Sequence, residues 1–298
     1  HQGEYVAPRD DRLAWLTGFT GSAGFCAALT DIAGVFIDGR YRTQVKRQVA
    51  ADFTPVPWPE VQLAGWLKAQ LPEGGKIGFD PWLHAAGQIT ALTQDLKGSG
   101  ITLTQCGNLV DRIWQDQPAP PLQPALPHAL SYAGEAAADK CARLAADLRT
   151  AGHSAAVITL PDSIMWLLNI RGGDIPRNPV AHGFAILHSD ARVDLFMAAD
   201  KLAGLQDHFG STVTLHPPEA FLKAAAALNG SVAADAGTLP QIVADALGSR
   251  MVPAGDPCAL PKARKNAAEI AGSAAAHLRD GAAVVELLSW LDEHLHDL

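Results

Sequence analysis

The residues best suited to chemistry lie on one tight turn, in the run Asp38-Gly39-Arg40-Tyr41. A guanidinium offers planar N–H donors to a carbonyl or a carboxylate, and each charged hydrogen bond contributes about 1.5–3 kcal/mol. The turn follows an apolar run, at the end of a predicted strand, where functional sites are commonly built. Asp38 is a candidate to orient Arg40, although an aspartate before glycine also forms turns without any functional role.

A glycine-rich segment, Gly18-Phe19-Thr20-Gly21-Ser22-Ala23-Gly24, precedes this turn. Its three glycines allow close approach of backbone or ligand, because no Cβ is in the way. It lacks the Gly-Lys-Ser/Thr ending of a phosphate-binding P-loop and the Gly-x-Gly-x-x-Gly spacing of dinucleotide sites. We therefore expect a structural loop rather than a nucleotide site.

The elements that must position these residues are two short strands, predicted at Phe25–Leu29 and Gly34–Ile37 and joined by a turn at Thr30-Asp31. Strands and helices alternate through the rest of this region, which is typical of an α/β layer. Strands are predicted at 53–56, 76–80 and 101–105, and helices at 58–71, 83–96 and, capped by Asn108, 108–114.

Five prolines within ten residues mark the clearest boundary: Pro118, Pro120, Pro121, Pro124 and Pro127. Such a segment is expected to be an extended linker that forms neither helix nor sheet. We therefore predict a first domain at 1–117, a linker at 118–131 and a second domain at 132–260. The two domains could be two copies of one fold.

The second domain repeats the alternation of strands and helices. Strands are predicted at 155–160, 184–188, 193–197, 211–215 and 232–235, and helices at 135–151, 162–169, 218–228 and 240–247. Asp162 is the predicted cap of the helix at 162–169. The run Arg171-Gly172-Gly173-Asp174 predicts a constrained loop for interdomain or dimer packing, with a substrate-side role as the alternative. Five tryptophans are expected to be core or interdomain anchors: Trp58, Trp66, Trp82, Trp114 and Trp166.

After residue 260 the pattern changes to two amphipathic helices, predicted at Lys262–Asp280 and Gly281–Asp297. Their apolar stripe has no surface of its own to pack against. We therefore interpret 261–298 as the opening helices of a further domain.

Net charge, apolar runs and cysteine content indicate which partners and which compartment suit this protein. The 298 residues carry a formal net charge of −8, which disfavours nucleic acid or an anionic membrane as a partner. No apolar run approaches the ~20 residues that span a bilayer, and no secretory leader is visible. The four widely spaced cysteines predict reduced thiols in a cytoplasmic protein.

The sequence offers no self-contained catalytic or metal motif. There is no His-Glu-x-x-His, and Ser163 lies in no Gly-x-Ser-x-Gly turn. His294 and His296 are two residues apart on a predicted helix, so they point in different directions. His182 and His188 flank a predicted strand and would need partners that the sequence does not identify.

An ordered series of motifs resembles the large, cytosolic-type Xaa-Pro aminopeptidases (aminopeptidase P). Besides the first eight residues, the glycine-rich segment and the Asp38–Tyr41 turn, it comprises 78–81 (GFDP), 108–114 (NLVDRIW), 132–134 (YAG), 139–140 (DK), 166–180 (WLLNIRGGDIPRNPV), 262–266 (KARKN) and 277–282 (HLRDGA).

The resemblance implies an α/β fold with two creatinase N-terminal-like domains, each a mixed β-sheet flanked by helices, followed by the first helices of a truncated "pita-bread" peptidase domain. It implies removal of the N-terminal residue from peptides with proline in second position. It assigns Arg40 to substrate binding, supported by Asp38.

In the family, two divalent metal ions, usually manganese, bind two Asp, one His and two Glu of the peptidase domain, and a metal-held hydroxide attacks the carbonyl before proline. None of these five ligands maps onto this chain. The resemblance therefore implies that this chain carries no catalytic residue and no metal site. It also implies that the chain is the N-terminal part of the enzyme and is inactive by itself, and that the full-length enzyme is a homodimer.

Two alternatives remain open at this stage. One is a stand-alone, non-catalytic creatinase-like binding or regulatory module. The other is a creatinase-like or prolidase-like activity on the same scaffold. An exposed amphipathic helix at 281–297 argues against a stand-alone module, because such a surface favours association.

Overall fold

The computed structural model describes residue 3 and residues 5–295; His296 and the predicted helix end at Asp297 lie outside this range. Within the described part of the predicted first domain, hereafter domain one, there are five strands: β1 (Gly24–Ala28), β2 (Ala33–Ile37), β3 (Phe53–Pro57), β4 (Gly75–Phe79) and β5 (Ile101–Gln105). Its helices are α1 (Arg12–Thr17), α2 (Val45–Gln48), α3 (Leu63–Gln70), α4 (Ala86–Asp95) and α5 (Leu109–Ile113).

The strands of domain one form two groups. β1 and β2 make the expected antiparallel hairpin, β3 pairs with β2 in parallel, and β4 and β5 form a separate parallel pair. The predicted cap is confirmed, because the Asn108 side chain accepts hydrogen bonds from the backbone N–H groups of Val110 and Asp111. The α3 and α4 helices begin later than predicted, because turns occupy residues 58–62 and 81–85.

Eight further strands follow, β6 in the predicted linker and the others in the predicted second domain: β6 (Leu126–Pro127), β7 (Ala155–Ile158), β8 (Ile170–Arg171), β9 (Phe184–His188), β10 (Val193–Phe196), β11 (Val213–His216), β12 (Val232–Ala234) and β13 (Met251–Pro253). The helices that follow α5 are α6 (Leu130–Ala133), α7 (Ala137–Thr150), α8 (Pro161–Leu167), α9 (Phe221–Ala227), α10 (Gln241–Leu247), α11 (Ala259–Ala263) and α12 (Ala267–His294). Short 3-10 turns occupy 8–10, 39–41, 199–202, 218–220 and 248–250.

Six of these strands form one mixed sheet in the order β11-β10-β9-β7-β12-β13. Its central strand, β7, alternates between two cores, as a strand's twofold period requires. Ala156 and Ile158 pack with the core that includes α7 and α8, whereas Ala155 and Val157 pack with the core that includes α9 and α10. Helices therefore flank both faces, and the predicted fold class is confirmed.

Three local predictions are wrong. The proline-rich segment does form a strand, because Leu126-Pro127 pairs with Ile170-Arg171 in a two-residue ladder at the edge, where proline is tolerated. Leu160, not Asp162, is the residue at the cap position of α8, since Pro161 already starts the helix.

The third error is the predicted break at Gly281. The chain forms one helix of 28 residues, α12, which starts only at Ala267. Asn266 and Glu269 form a capping box there, each side chain bonding the other's backbone N–H. A single glycine inside a helix costs only about 1 kcal/mol, which is too little to end it.

Backbone hydrogen bonds join the two domains. The N–H groups of Ala86 and Gly87 donate to the carbonyls of Leu239 and Ala236 at 2.9 and 2.8 Å. The ring of Trp82 in domain one lies next to the ring of Phe184 in domain two, with centroids 6.0 Å apart, as expected for an interdomain anchor. Trp66, Trp114 and Trp166 are buried, and Trp58 is about one-third exposed.

Candidate functional site

Asp38 forms the turn that carries Arg40. It follows β2 directly, and its carboxylate accepts a hydrogen bond from the backbone N–H of Arg40 at 2.9 Å. This bond caps the 3-10 turn Gly39–Tyr41. The position of the arginine at the strand end is therefore set by the aspartate two residues earlier.

The same carboxylate binds the Arg40 guanidinium. Nη2 lies 2.6 Å from Oδ2, and Nε lies 2.9 Å from Oδ2 and 3.2 Å from Oδ1. These hydrogen bonds from Arg40 hold the pKa of Asp38 below its usual value, so Asp38 is ionised at neutral pH. The Arg40 side chain is 63% exposed and that of Asp38 only 19%. The pair therefore presents an oriented cation to solvent.

Tyr41 connects the turn to the glycine-rich segment. Its hydroxyl shares a 2.9 Å hydrogen bond with Ser22 Oγ, which lowers the pKa of Tyr41. Its ring packs edge-on against Phe19, with centroids 5.5 Å apart. Arg40 Cζ lies 5.2 Å from the centre of the Tyr41 ring, within cation–π range. The sequence analysis did not predict this contact between the two motifs.

The glycines of the segment allow it to pack around Phe19, which is buried. A Cβ on Gly21 would lie 2.3 Å from Phe19 Cζ, and Gly18 adopts φ +79°. Neither position accepts a side chain without displacement or strain. The structure thus gives the segment a packing role, as expected.

The sequence analysis did not predict that the side chain of Lys140 is buried. Its Nζ donates to the Trp166 carbonyl at 2.8 Å and to Asn169 Oδ1 at 2.7 Å, and lies 4.4 Å from the Trp166 ring centre. Burial lowers the pKa of Lys140. The spacing of the sequence could have predicted this burial, since Lys140, Leu144 and Leu148 lie four residues apart on the buried face of α7.

The loop at 171–174 folds onto its own domain. Gly172 N–H donates to the Pro179 carbonyl, and Asp174 N–H to the Val180 carbonyl. The Asp174 carboxylate is fully buried, where it accepts hydrogen bonds from Lys201 Nζ and, at 2.6 Å, from His182 N–H. The buried ion pair to Lys201 was not predicted, because its partners are 27 residues apart.

His188 has a partner that the sequence did not identify. Its Nε2 lies 2.7 Å from Asp194 Oδ2, and His216 Nε2 lies 2.9 Å from Oδ1 of the same carboxylate. Burial opposes ionisation of Asp194, but the two histidine hydrogen bonds outweigh it and lower its pKa. The cluster ties together the neighbouring strands β9, β10 and β11.

The four cysteines are free thiols in this structure, and burial raises the pKa of Cys26 to about 11. Across residues 5–295, no three His, Cys, Asp or Glu side chains are grouped so as to hold a metal ion. The described residues thus offer no set of ligands for the two metal ions that the resemblance implies. His294 bonds the Trp290 carbonyl of its own helix.

No helix within the described part of the chain is both long and apolar enough to span a bilayer.

Comparisons with known proteins cover almost the whole chain. Two family models, each described as Creatinase/Prolidase N-terminal domain, match residues 5–113 and 116–269. A probable Xaa-Pro aminopeptidase P of Coccidioides posadasii (strain RMSCC 757 / Silveira) is 36% identical over 318 residues, covering 99% of this chain and 51% of that protein. One from Aspergillus niger is 34% identical over 313 residues, with the same coverage.

One solved structure matches almost the whole chain. X-prolyl aminopeptidase from Caenorhabditis elegans, described as a cytosolic enzyme with a di-nuclear active site, superposes with a TM-score of 0.92 at 31% identity. The match covers 99% of this chain and 50% of that one, so the chain spans about half the length of the relatives it matches. The chain belongs to the creatinase/prolidase N-terminal domain family, and it is similar to Xaa-Pro aminopeptidases over about half of their length.

Proposed function

We propose that this chain forms the N-terminal, substrate-admitting part of a metal-dependent Xaa-Pro aminopeptidase, which removes the N-terminal residue from peptides with proline in second position. The agreement of fold over 99% of the chain with the C. elegans enzyme carries this proposal. Because the chain spans half of that enzyme, the metal-binding residues are assigned to the other half. The 298 residues alone are expected to be inactive.

Arg40 is the proposed substrate contact. Its guanidinium is exposed and held in a defined orientation, which suits recognition of a peptide carbonyl or carboxylate. Asp38 acts as a positioning residue, since it caps the turn and binds the guanidinium. Peptide with proline in second position is thus the proposed partner, rather than nucleic acid or membrane.

The exposed side chains of the α12 helix support the proposal of a further domain. Asn266, at its start, bonds the Ala133 carbonyl at 2.8 Å and anchors it to domain two. Beyond that anchor its large apolar side chains are exposed, Leu278 to 77%. The exposed members are Ile270, Leu278, Val284, Val285, Leu287, Leu288 and Trp290, and Leu295, the residue after the helix, is exposed as well. A surface of this kind normally marks an interface, and we assign it to the metal-binding domain.

The remaining features are proposed from the family resemblance. The parent enzyme is proposed to use two divalent metal ions, with manganese as the expected metal, to be cytoplasmic and to form a homodimer. The domain boundaries at 117, 131 and 260 are part of the same proposal.

Cleavage of a tripeptide with proline in second position tests the proposal. The chain and the longer natural gene product are assayed side by side with manganese, and a tripeptide with alanine in second position is the matched control. Proline-dependent cleavage by the longer protein alone is the expected result. Cleavage by the 298 residues would overturn the assignment of the metal site, and no cleavage by either would favour a non-catalytic binding module.

A further inference from the structure

Trp58 directly follows β3 and lies beside the turn that carries Arg40. Its backbone N–H donates to the carbonyl of Ile37, the last residue of β2, at 2.9 Å. β2 and β3 are parallel, with Ile37 opposite Pro57, so Asp38 and Trp58 are the next pair in this register. Trp58 is therefore at the same end of the sheet as the proposed substrate contact.

Asp38 and Trp58 also share a face of the sheet. Asp38 keeps an extended backbone, with φ −76° and ψ 172°, so the alternation of side chains along β2 continues to it. Phe36 and Val56, two residues earlier in each strand, belong to one core. Because side chains two residues apart point the same way, Asp38 and Trp58 project from the face of Phe36 and Val56, with backbones about 5 Å apart.

The indole of Trp58 is held on one side and is open to solvent elsewhere. Its ring packs against that of Phe25, with centroids 6.5 Å apart and planes at 78°. Phe25 is itself packed against the core of Phe36 and Val56. Trp58 is nevertheless 37% exposed, although the sequence analysis expected a core or interdomain anchor. A tryptophan fixed in this way offers a large contact area at a low cost in conformational entropy.

The turns after β2 and β3 are fixed to each other. The side-chain amide of Gln62 donates to the Pro59 carbonyl at 2.8 Å and closes the turn after β3. An ion pair between Arg42 and Glu60 joins this turn to the one after β2. The guanidinium that Asp38 orients and the neighbouring indole are therefore presented together, on two turns that are cross-linked.

A cation beside an apolar surface suits a peptide, which offers both kinds of group at short spacing. Along an extended peptide, carbonyls and side chains recur about every 3.3 Å, so one peptide can contact both Arg40 and a group about 5 Å away. Aromatic and large aliphatic side chains pack well on an indole, since they gain apolar contact without leaving a polar group unpaired.

The proposed reaction decides which part of the peptide reaches this surface. A single residue precedes the cleaved bond, and the metal ions that act on that bond are assigned to the other half of the enzyme. The part of the peptide that extends away from the metal ions is therefore the part that follows the proline.

Building on the proposed function, we propose that Trp58 forms an apolar subsite for the substrate side chain that follows the proline, and that it favours a large apolar side chain there. Arg40 binds a backbone carbonyl or the terminal carboxylate of the same peptide. Trp58 is then a residue that determines specificity for the third position of the substrate, and it takes no part in breaking the bond.

Two tripeptides that differ only in the third residue test this inference. In the longer natural gene product, kcat/KM for alanyl-prolyl-phenylalanine should exceed that for alanyl-prolyl-glycine by about tenfold. Trp58→Ala should remove most of this preference and change the glycine peptide by less than about twofold, whereas Trp58→Phe should keep the preference because an aromatic ring remains. Arg40→Ala should instead lower both peptides alike.

Trp15 provides the matched control. It is 39% exposed, close to the value for Trp58, and its ring stacks on that of Trp114 with centroids 5.2 Å apart. Trp15→Ala should leave the preference for the phenylalanine peptide unchanged. An equal loss for both peptides in Trp58→Ala, or no loss for either, would overturn the inference while proline-dependent cleavage by the same protein leaves the proposed function standing.

Binding to the metal-free protein gives a readout that needs no cleavage. In calorimetric titrations of the longer gene product, the phenylalanine peptide should bind about tenfold more tightly than the glycine peptide, and Trp58→Ala should abolish the difference. The same affinity for both peptides in the wild-type protein would overturn the subsite. If the proposed function fails because no cleavage occurs, this ratio of affinities still decides the role of Trp58.

Discussion

The guanidinium of Arg40 lies against the carboxylate of Asp38, with Nη2 2.6 Å from Oδ2, while the same carboxylate accepts the backbone N–H of Arg40. One side chain thus shapes the turn and orients the cation that the turn presents. If Arg40 binds the peptide, both functions of Asp38 should be visible in kinetics.

Replacing Arg40 should reduce peptide hydrolysis without removing metal. In the longer gene product, Arg40→Ala should lower kcat/KM by about 10- to 100-fold, the equivalent of one charged hydrogen bond. Arg40→Lys should retain part of the activity, because it keeps the charge but loses the planar donor pair. Steady-state kinetics and metal content of the purified variants provide the measurement.

Asp38→Asn is the companion variant. Its amide oxygen can still cap the turn, but it holds the guanidinium less firmly, so the loss should be smaller than for Arg40→Ala. Wild-type kinetics in Arg40→Ala would reject the substrate role of Arg40.

The glycine-rich segment should tolerate no side chain at Gly21. Gly21→Ala should lower the free energy of unfolding by about 1–3 kcal/mol, because the added methyl group collides with the Phe19 ring. The matched control is Gly65→Ala in α3, where no atom lies within 4 Å of the new Cβ. There, alanine should stabilise by about 0.5–1 kcal/mol. Urea denaturation distinguishes the two, and equal effects would contradict the packing role.

Replacing only one partner of the buried ion pair Lys201–Asp174 should strongly lower the free energy of unfolding. Lys201→Met leaves a buried carboxylate without its cation, and should destabilise the protein by about 3–5 kcal/mol. Adding Asp174→Asn removes that charge and retains an acceptor for His182 N–H. The double variant should therefore be more stable than Lys201→Met alone. Strictly additive losses in chemical denaturation would show that the two charges do not interact.

Asp194 should make domain two acid-sensitive. Its pKa is lower in the folded chain than the unfolded value of about 3.9, so its stabilising effect is complete above that pH and is lost as the pH falls through the folded pKa. Thermal melting between pH 5 and 2.5 should thus show a smaller acid-induced loss of Tm in Asp194→Asn than in wild type. Asp31→Asn, at an exposed turn of domain one, should follow the wild-type curve.

Local pattern was enough to predict most elements. Two apolar runs joined by the turn at Thr30-Asp31 predicted the β1–β2 hairpin, and Asn108 predicted the start of α5, because hairpin turns and caps depend on residues close in the chain. The Asp38–Arg40 turn could likewise be found from four residues.

Predictions that depended on distant partners failed. The prolines of residues 118–127 predicted that this segment forms no strand. Leu126-Pro127 nevertheless pairs with Ile170-Arg171, more than forty residues away. A lysine on a helix is expected in solvent, yet Trp166 and Asn169 satisfy Lys140 inside the core.

The sequence alone thus determined the family, the fold class and the motif that carries Arg40, because hydrophobic period and turn chemistry are local properties and the order of the motifs is visible along the sequence itself. Only the tertiary structure decided that Ser22 and Tyr41 join the two motifs and that Asp194 binds two histidines. These relationships join residues that are distant in sequence, so they are set by how the sheets and helices pack together.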